Sequence, residues 1–264
     1  MPNIVVNEIE FYYERHGSGD PLILICGFTN HLGMWKRFIP KLSASFEVIV
    51  FDNRGAGRTE SSPPPYTIEM LADDVIGLMD ALEIQRAQMA GFSMGSLIIQ
   101  SIGHRHAERI HKGVLIAPFS VLPSTALMQA HSVAKLFQAG VNPALALETM
   151  LPWIYSNDYL SDPKRVIRTI DTLLKNPYPQ PPEGYAGQLQ ALSQCDMSDR
   201  LAAIETPLLI LAGEEDLYTP FYEAKLLREQ LPNAVLKGVP GVGHMLYIEA
   251  EEITMEGIHA FCTG

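Results

Sequence analysis

The sequence is poor in cysteine and in basic residues, and each shortage excludes a class of protein. Its three cysteines, Cys26, Cys195 and Cys262, lie far apart and form no Cys-x-x-Cys pair. A disulfide framework and a zinc knuckle are therefore not expected, and a reducing compartment is the natural setting. The 19 basic and 30 acidic side chains give a net charge of −11. This charge argues against nucleic acid or an anionic membrane as the general partner.

The sequence also lacks segments typical of export or membrane insertion. The N-terminus has no basic region followed by an apolar run, as a secretory signal would. No uncharged apolar stretch approaches the ~18 residues that a membrane span requires. Hydrophobic residues make up 47% of the 264 positions, enough for one substantial core. We therefore expect a soluble, cytoplasmic protein.

Short apolar runs alternate with helical patterns along most of the chain. Segments 4–6 and 8–14 are β-like, and five continuous apolar runs follow at 22–26, 48–52, 87–92, 113–117 and 208–213. Continuous runs are typical of strands covered on both faces. Helical spacing occurs after Thr67, a candidate N-cap, and at 96–110 and 221–231. The alternation predicts an α/β fold with a mostly parallel sheet between helices.

This alternation stops between Pro118 and Ile204. The intervening residues include several helical patterns and the proline-rich stretch 176–182, but no run typical of a buried strand. We interpret residues 119–204 as a helical cap inserted into a core formed by residues 1–118 and 205–264.

One serine has the surroundings of a nucleophile. Ser93 is the centre of Gly91-Phe92-Ser93-Met94-Gly95, between a predicted buried strand and a helix. In that context Gly-x-Ser-x-Gly forms a tight turn that presents the serine hydroxyl above the edge of the sheet. As a bare pentapeptide the motif is weak, and a purely structural turn is the alternative.

A serine nucleophile needs a base and an orienting acid, expected in the order serine, acid, histidine. His244 follows the β-like segment 234–239 in a glycine-flanked loop, whereas other histidines fall in turns, helices or the cap (His16, His104, His106, His111, His131 and His259). Asp216 lies just beyond the buried run 208–213, at the carboxyl end of a strand, where α/β sheets carry their catalytic and ligand-binding residues. Glu214 and Glu215 are its competitors, but they lie closer to the strand. We predict Ser93, Asp216 and His244 as the catalytic residues.

An acyl-transfer site also needs donors for the oxyanion of its tetrahedral intermediate. We assign one to the backbone N–H of Met94, directly after the serine. We assign the second to the N–H of Phe28, after the run 22–26, where Gly27 permits close backbone approach.

With these residues in order, and with the segment FDNRGAGRTE after the run 48–52, the sequence resembles the α/β-hydrolase superfamily over essentially its full length. Within it, LPWIYSNDYLSDPKRV and NPYPQPPEGY resemble cap-bearing proteins similar to 3-oxoadipate enol-lactonases and small carboxylesterases. The resemblance implies an α/β-hydrolase fold and an acyl-enzyme mechanism with neither a metal nor a cofactor. Two positions depart from the family pattern: Cys26-Gly27 replaces the usual His-Gly, and Ser96 replaces a common glycine.

Other polar or reactive residues have simpler interpretations. Asp52 and Arg54 belong to a segment that in the relatives is a structural turn. Cys26 could be a nucleophile in another scheme, but as the last residue of a buried run it is expected to be an inert core thiol.

The substrate is less well defined by the sequence. Candidates for an apolar pocket beneath the cap are Phe28, Phe119, Leu122, Met128, Trp153 and Met245, although each could equally be ordinary core. A basic cluster on a predicted cap helix (Lys164, Arg165, Arg168 and Lys175) could meet an acidic carrier protein or a substrate carboxylate. A solvated helix face is the alternative.

These features predict a serine hydrolase acting on a small-molecule carboxylic ester or lactone. Two alternatives stay open. One is hydrolysis of a carbon–carbon bond or a thioester by the same three residues. The other is a ligand-binding sensor built on a hydrolase scaffold, with slow or vestigial turnover.

Overall fold

The structure is a computed structural model, and it describes residues 3–264. Within that range eight strands form one sheet in the order β1-β2-β4-β3-β5-β6-β7-β8. Strand β2 pairs antiparallel with both β1 and β4, and the other pairings are parallel. The strands are β1 (Asn3–Val6), β2 (Ile9–His16), β3 (Asp20–Ile25), β4 (Phe46–Phe51), β5 (Ala87–Phe92), β6 (Ile110–Ile116), β7 (Leu208–Gly213) and β8 (Ala234–Val239). The predicted mostly parallel sheet is confirmed.

Twelve α-helices in the described residues connect or follow these strands. They are α1 (Ile39–Leu42), α2 (Ile68–Ala81), α3 (Met94–Arg105), α4 (Ser124–Gln138), α5 (Pro143–Glu148), α6 (Leu151–Ile154), α7 (Asn157–Leu160), α8 (Pro163–Leu174), α9 (Pro182–Gln194), α10 (Phe221–Gln230), α11 (Leu246–Glu249) and α12 (Glu251–Thr263). Short 3-10 helices occur at Leu32–Trp35, Ala107–Arg109 and Ser198–Ala203. Among residues 3–264, no helix combines the length and the apolar character needed to cross a membrane.

Burial along the strands follows their place in the sheet. Every residue of β5 and of β7 is buried, which explains their continuous apolar runs. At the edge of the sheet, only the end residues of β8, Ala234 and Val239, are buried, and the four residues between them are exposed or half-buried. The core therefore lies around the central strands, next to the turn that carries Ser93.

Helices cover both faces of this sheet. On β6, the Lys112 ammonium donates to the Phe261 carbonyl of α12, at 3.1 Å. The next residue, Gly113, faces Ile99 of α3 so closely that a β-carbon would lie 3.0 Å from its side chain. Because successive residues of a strand point to opposite faces, α12 and α3 lie on opposite sides of the sheet.

Helix α2 begins where the sequence predicts. Thr67 is its N-cap, and its side chain accepts a hydrogen bond from the Met70 N–H at 3.0 Å. This bond satisfies one of the free donors at a helix start and fixes the first residue of the helix.

Six helices, α4 to α9, lie between β6 and β7, and the two ends of this segment are held together. Val121 and Asp196 form an isolated antiparallel bridge, and the Met197 N–H donates to the Ser120 carbonyl at 3.1 Å. That bridge is the only strand-like pairing among the described residues of the segment. Its helical content agrees with the expected cap, while its division from the core at 118 and 205 stays a prediction.

Helix α9 packs directly on the turn after β4. The Gln188 side-chain amide donates to the Arg54 carbonyl at 2.9 Å, and that of Gln180 donates to the Gly55 carbonyl at 3.0 Å. Gly184 lies so close to Gly55 that a β-carbon would overlap the Gly55 backbone. The helical segment is thus fixed to the turn after β4 by two side-chain hydrogen bonds to backbone carbonyls and by one close backbone contact.

Candidate active site

Three loops at one edge of the sheet carry the polar residues of the site. Ser93 follows β5 directly, Asp216 lies three residues after β7, and His244 lies five residues after β8. These strands run parallel within the series β5-β6-β7-β8, so their carboxyl ends meet at one edge. Two backbone bonds tie the last two loops together, because the N–H groups of Glu214 and Glu215 donate to Val239 and Val242 at 3.0 and 2.9 Å.

The turn at Ser93 is strained and is held by its neighbours. Ser93 has φ 52° and ψ −112°, a conformation that L-residues rarely adopt. Its N–H donates to the Ile116 carbonyl of the adjacent strand at 2.8 Å. A β-carbon on Gly95 would lie 2.5 Å from the Ile25 carbonyl oxygen, and one on Gly91 would overlap the Gly95 backbone. The two glycines are therefore required for the turn, which stores on the order of 1–3 kcal/mol of strain.

The structure brings the three predicted side chains together in one line. His244 Nε2 lies 3.1 Å from Ser93 Oγ, and His244 Nδ1 lies 2.7 Å from Asp216 Oδ2. Their exposed fractions are only 5% for Ser93, 3% for Asp216 and 4% for His244. Such a relay, screened from water, has the geometry in which an imidazole accepts the proton of a serine hydroxyl.

Thr219, a residue that the sequence did not single out, holds the Asp216 carboxylate in place. The backbone N–H groups of Tyr218 and Thr219 donate to Asp216 Oδ1 at 2.8 and 2.9 Å. The Thr219 hydroxyl donates to Asp216 Oδ2 at 2.8 Å and also lies 3.1 Å from His244 Nδ1. The signal available in the sequence is the spacing Asp-x-x-Thr, in which both the hydroxyl and the N–H of the threonine can reach the preceding carboxylate.

The loop after β3 lies beside the Ser93 turn, as expected for a pair of oxyanion donors. A β-carbon on Gly27 would lie 2.7 Å from the Phe92 ring, so the two loops are in contact. Among residues 3–264, neither the Phe28 N–H nor the Met94 N–H donates to a protein acceptor. Thr29, directly after Phe28, has φ 64°, an outlier for a β-branched residue. Two unpaired N–H groups next to strained backbone are compatible with an anion-binding role.

The two departures from the family pattern occupy well-defined positions. The Ser96 hydroxyl donates to the Ser93 carbonyl at 2.6 Å, which adds a bond inside the strained turn. The Cys26 carbonyl accepts a hydrogen bond from the Asn53 side chain at 2.9 Å. Burial raises the pKa of the Cys26 thiol well above its usual range, so this sulfur stays protonated, as expected of a core thiol.

The segment after β4 forms a turn, as the family resemblance implies. Asp52 is fully buried, and its carboxylate accepts from the backbone N–H groups of Leu32 and Arg58 at 2.6 and 2.9 Å. Arg54 forms a two-pronged ion pair with Asp74 of α2, at 2.6 and 2.8 Å. The polar atoms of Asp52 and Arg54 are thus occupied by hydrogen bonds that hold loops and helix α2 together, which is a structural role.

Most of the predicted pocket residues are enclosed. Phe119 is fully buried, Leu122 and Met245 are buried, and Trp153 is half-buried. The Phe28 ring packs at 4.8 Å from the ring of Tyr185, whose hydroxyl donates to the Ala130 carbonyl. Burial raises the pKa of Tyr185 to about 12, so the phenol is neutral.

The prediction for Met128 needs correction. Its side chain is 72% exposed, whereas the inward stripe of α4 consists of Ala126, Gln129, Ala130 and Val133. Since these residues recur at steps of three and four, Met128 falls on the outer side of the helix. Helical periodicity alone did not reveal which side of α4 would face the core.

The basic cluster on α8 is partly neutralised. Arg165 lies 3.7 Å from Asp158, and Arg168 lies 3.8 Å from Asp162. Lys164 and Lys175 are exposed at the two ends of the helix. The positive potential of the cluster is therefore smaller than the sequence suggests, and an acidic carrier protein as partner stays an untested prediction.

Comparison with known proteins agrees with the fold. The family model described as the alpha/beta hydrolase fold matches residues 20–251. The chain belongs to the α/β-hydrolase fold family.

Several relatives within this family are similar along their full length. RutD from Caulobacter sp. (strain K31), whose name ascribes carbamate hydrolysis to it, is 26% identical over 96% of both chains. The crystal structure of the enol-lactonase from Burkholderia xenovorans LB400 superposes with a TM-score of 0.85, at 27% identity over 100% of both chains. A thermophilic esterase from Thermogutta terrifontis has a TM-score of 0.85 at 27% identity, covering 98% of this chain and 96% of its own. The expected resemblance to enol-lactonases and esterases is confirmed.

Proposed function

We propose that this protein is a serine hydrolase that cleaves a small carboxylic ester or lactone through an acyl-enzyme intermediate. One observation carries the proposal: the continuous line from Ser93 Oγ to His244 Nε2 at 3.1 Å and from His244 Nδ1 to Asp216 Oδ2 at 2.7 Å. A serine hydroxyl is a weak nucleophile on its own, and this arrangement supplies the base and the orienting acid that it needs.

Each residue has a distinct part in the proposed reaction. Ser93 attacks the carbonyl carbon while His244 takes the hydroxyl proton. Asp216 holds the imidazole in the tautomer with hydrogen on Nδ1 and stabilises its charged form. The N–H groups of Phe28 and Met94 donate to the oxyanion. His244 then gives the proton to the departing alkoxide, and a water molecule activated by the same imidazole releases the acid.

The neutral character of the surroundings favours an ester or a lactone over a charged substrate. The rings of Phe92 and Tyr218 lie 5.0 and 5.2 Å from the His244 ring, and Phe28 packs on Tyr185. Apolar walls with a few convergent polar groups are typical of small-molecule sites. The names of the relatives support the same bond class, because an ester, an enol-lactone and a carbamate all present an acyl carbon bonded to oxygen.

Labelling with a fluorophosphonate probe tests this proposal directly. We expect one adduct, mapped by mass spectrometry to Ser93, and its complete loss in Ser93→Ala. Ser193→Ala, which removes an exposed hydroxyl on α9, is the matched control and should label like the wild type. An adduct on any other residue, or none on folded wild-type protein, would overturn the mechanism.

Turnover of a graded substrate set separates the alternatives. Hydrolysis of p-nitrophenyl esters with a burst of p-nitrophenol is expected of an acyl-enzyme mechanism. Activity confined to thioesters, or to substrates with a scissile carbon–carbon bond, would replace the ester assignment while keeping the three residues. Absence of burst and turnover, with ligand affinity unchanged in Ser93→Ala, would instead indicate a sensor.

A further inference from the structure

A carboxylate outside the proposed relay binds the loop that carries His244. Glu249 is the last residue of α11, five positions after His244. Its Oε1 accepts a hydrogen bond from the Gly243 N–H at 3.2 Å. Gly243 directly precedes His244, so this bond acts on the backbone from which the imidazole projects.

The other oxygen of the same carboxylate binds the helical segment inserted between β6 and β7. Glu249 Oε2 accepts from the Ser156 N–H at 3.1 Å, in the turn between α6 and α7. Nearby, the Met245 N–H donates to the Ile154 carbonyl at 3.2 Å. A β-carbon on Gly243 would lie 2.8 Å from the Ser156 nitrogen, so only a glycine allows this approach. The histidine loop and the 154–156 turn thus meet backbone to backbone.

From this geometry we infer that Glu249 is a positioning residue, which fixes the position of His244 by bridging the Gly243 and Ser156 amides. The position of the base then depends on the contact between the histidine loop and the 154–156 turn. The inference rests on the proposed function, because it assigns His244 the role of base. Two acceptor atoms are needed at once, and only an ionised carboxylate supplies both, since an amide would present an NH₂ group to one of the two N–H donors.

A neighbouring carboxylate provides a natural comparison. Glu215 accepts from the Asn157 N–H at 3.2 Å, one residue along the same turn, but it makes no bond to the histidine loop through its side chain. Glu249 therefore differs from Glu215 in one respect: it reaches both partners. Exchanging either carboxylate for its amide removes the same charge, so the pair isolates the bridge.

Kinetics of Glu249→Gln and Glu215→Gln test the inference with p-nitrophenyl butyrate and the fluorophosphonate probe. For Glu249→Gln we expect kcat and the labelling rate at Ser93 to fall on the order of tenfold, because misplacing a catalytic group lowers the rate of chemistry. For Glu215→Gln both should stay within about twofold of wild type, the scale of a weak exposed contact. Thermal unfolding should be similar in the two variants, which separates positioning from a general loss of stability.

Amide hydrogen exchange gives a readout that does not depend on activity. Peptides that contain Gly243 and Ser156 should exchange faster in Glu249→Gln, and both should change together. Should that variant fail to fold, Glu249→Asp keeps the charge but shortens the side chain by one methylene. It should show the same loss of kcat, because its oxygens reach only one of the two amides.

A result that refutes the Glu249 bridge differs from one that refutes the proposed function. Wild-type protein that takes no label at Ser93 would refute the proposed function. Wild type that labels normally, with Glu249→Gln labelling equally fast and both amides still protected, would refute the bridge alone. A fall in rate that matches an equal fall in the folded fraction would assign Glu249 a merely structural role.

Discussion

At the residue scale, the Asp216 carboxylate accepts three hydrogen bonds besides its contact with His244, and these bonds fix its orientation. Its four partners are His244, the Tyr218 and Thr219 N–H groups and the Thr219 hydroxyl. A carboxylate held on both oxygens has little freedom to turn away from the imidazole. Its orientation therefore depends on Thr219 as well as on the loop backbone.

Replacing Thr219 with valine keeps the shape of the side chain but removes the hydroxyl. Hydrogen bonds to charged groups contribute about 1.5–3 kcal/mol, so we expect kcat/KM for p-nitrophenyl butyrate to fall by on the order of tenfold or more. Thr219→Ser, which keeps the hydroxyl, should retain most of the activity. Equal rates in the valine and serine variants would contradict a role for this bond.

At the same scale, the sequence predicts that Ser93, Asp216 and His244 lie together, as the structure has them, but it does not single out Thr219 or Glu249. The first three follow strands whose apolar runs are visible, so topology alone brings them to one edge. Glu249 acts on an amide of Ser156, 93 residues earlier in the chain. That contact exists only after the helical segment has docked, and no local pattern in the sequence encodes it.

At the scale of elements, the strands and the long helices could be predicted, and the inward sides of the inserted helices could not. Buried strands leave continuous apolar runs, and Thr67 marks the start of α2 by its capping bond. Strand β3 begins at Asp20, two residues before the apolar run 22–26, because Asp20 and Pro21 already pair with β4. Met128 shows the opposite limit, since tertiary packing decides which side of α4 is buried.

The contact between α9 and the turn after β4 predicts the effect of one methyl group. Gly184→Ala would place a β-carbon on the Gly55 backbone, and such overpacking costs about 1–3 kcal/mol. We expect the Tm to fall by roughly 2–4 °C for each kcal/mol lost. Ser193→Ala, at an exposed position of the same helix, should leave the Tm nearly unchanged. A Gly184→Ala protein as stable as wild type would show that α9 moves freely on this turn.

At the scale of the whole molecule, the three cysteines report on the integrity of the core. All are buried, and burial raises the pKa of Cys195 and of Cys262 to about 12 and that of Cys26 well above its usual range. The thiolate is the reactive form, so at pH 8 the folded protein should react with less than one equivalent of Ellman's reagent. In guanidinium chloride all three should react. Rapid reaction of a native thiol would contradict the packing around it.

The pairing of Val121 with Asp196 and of Ser120 with Met197 has a consequence for how such a protein could diversify. More than seventy residues leave the sheet after β6 and return to it before β7, and the two ends of this segment are joined by this short pairing. A different helical segment could be inserted between these paired ends while β6 and β7 remain side by side. We expect chimaeras joined at this bridge to keep Ser93 reactive while changing which acyl groups reach it.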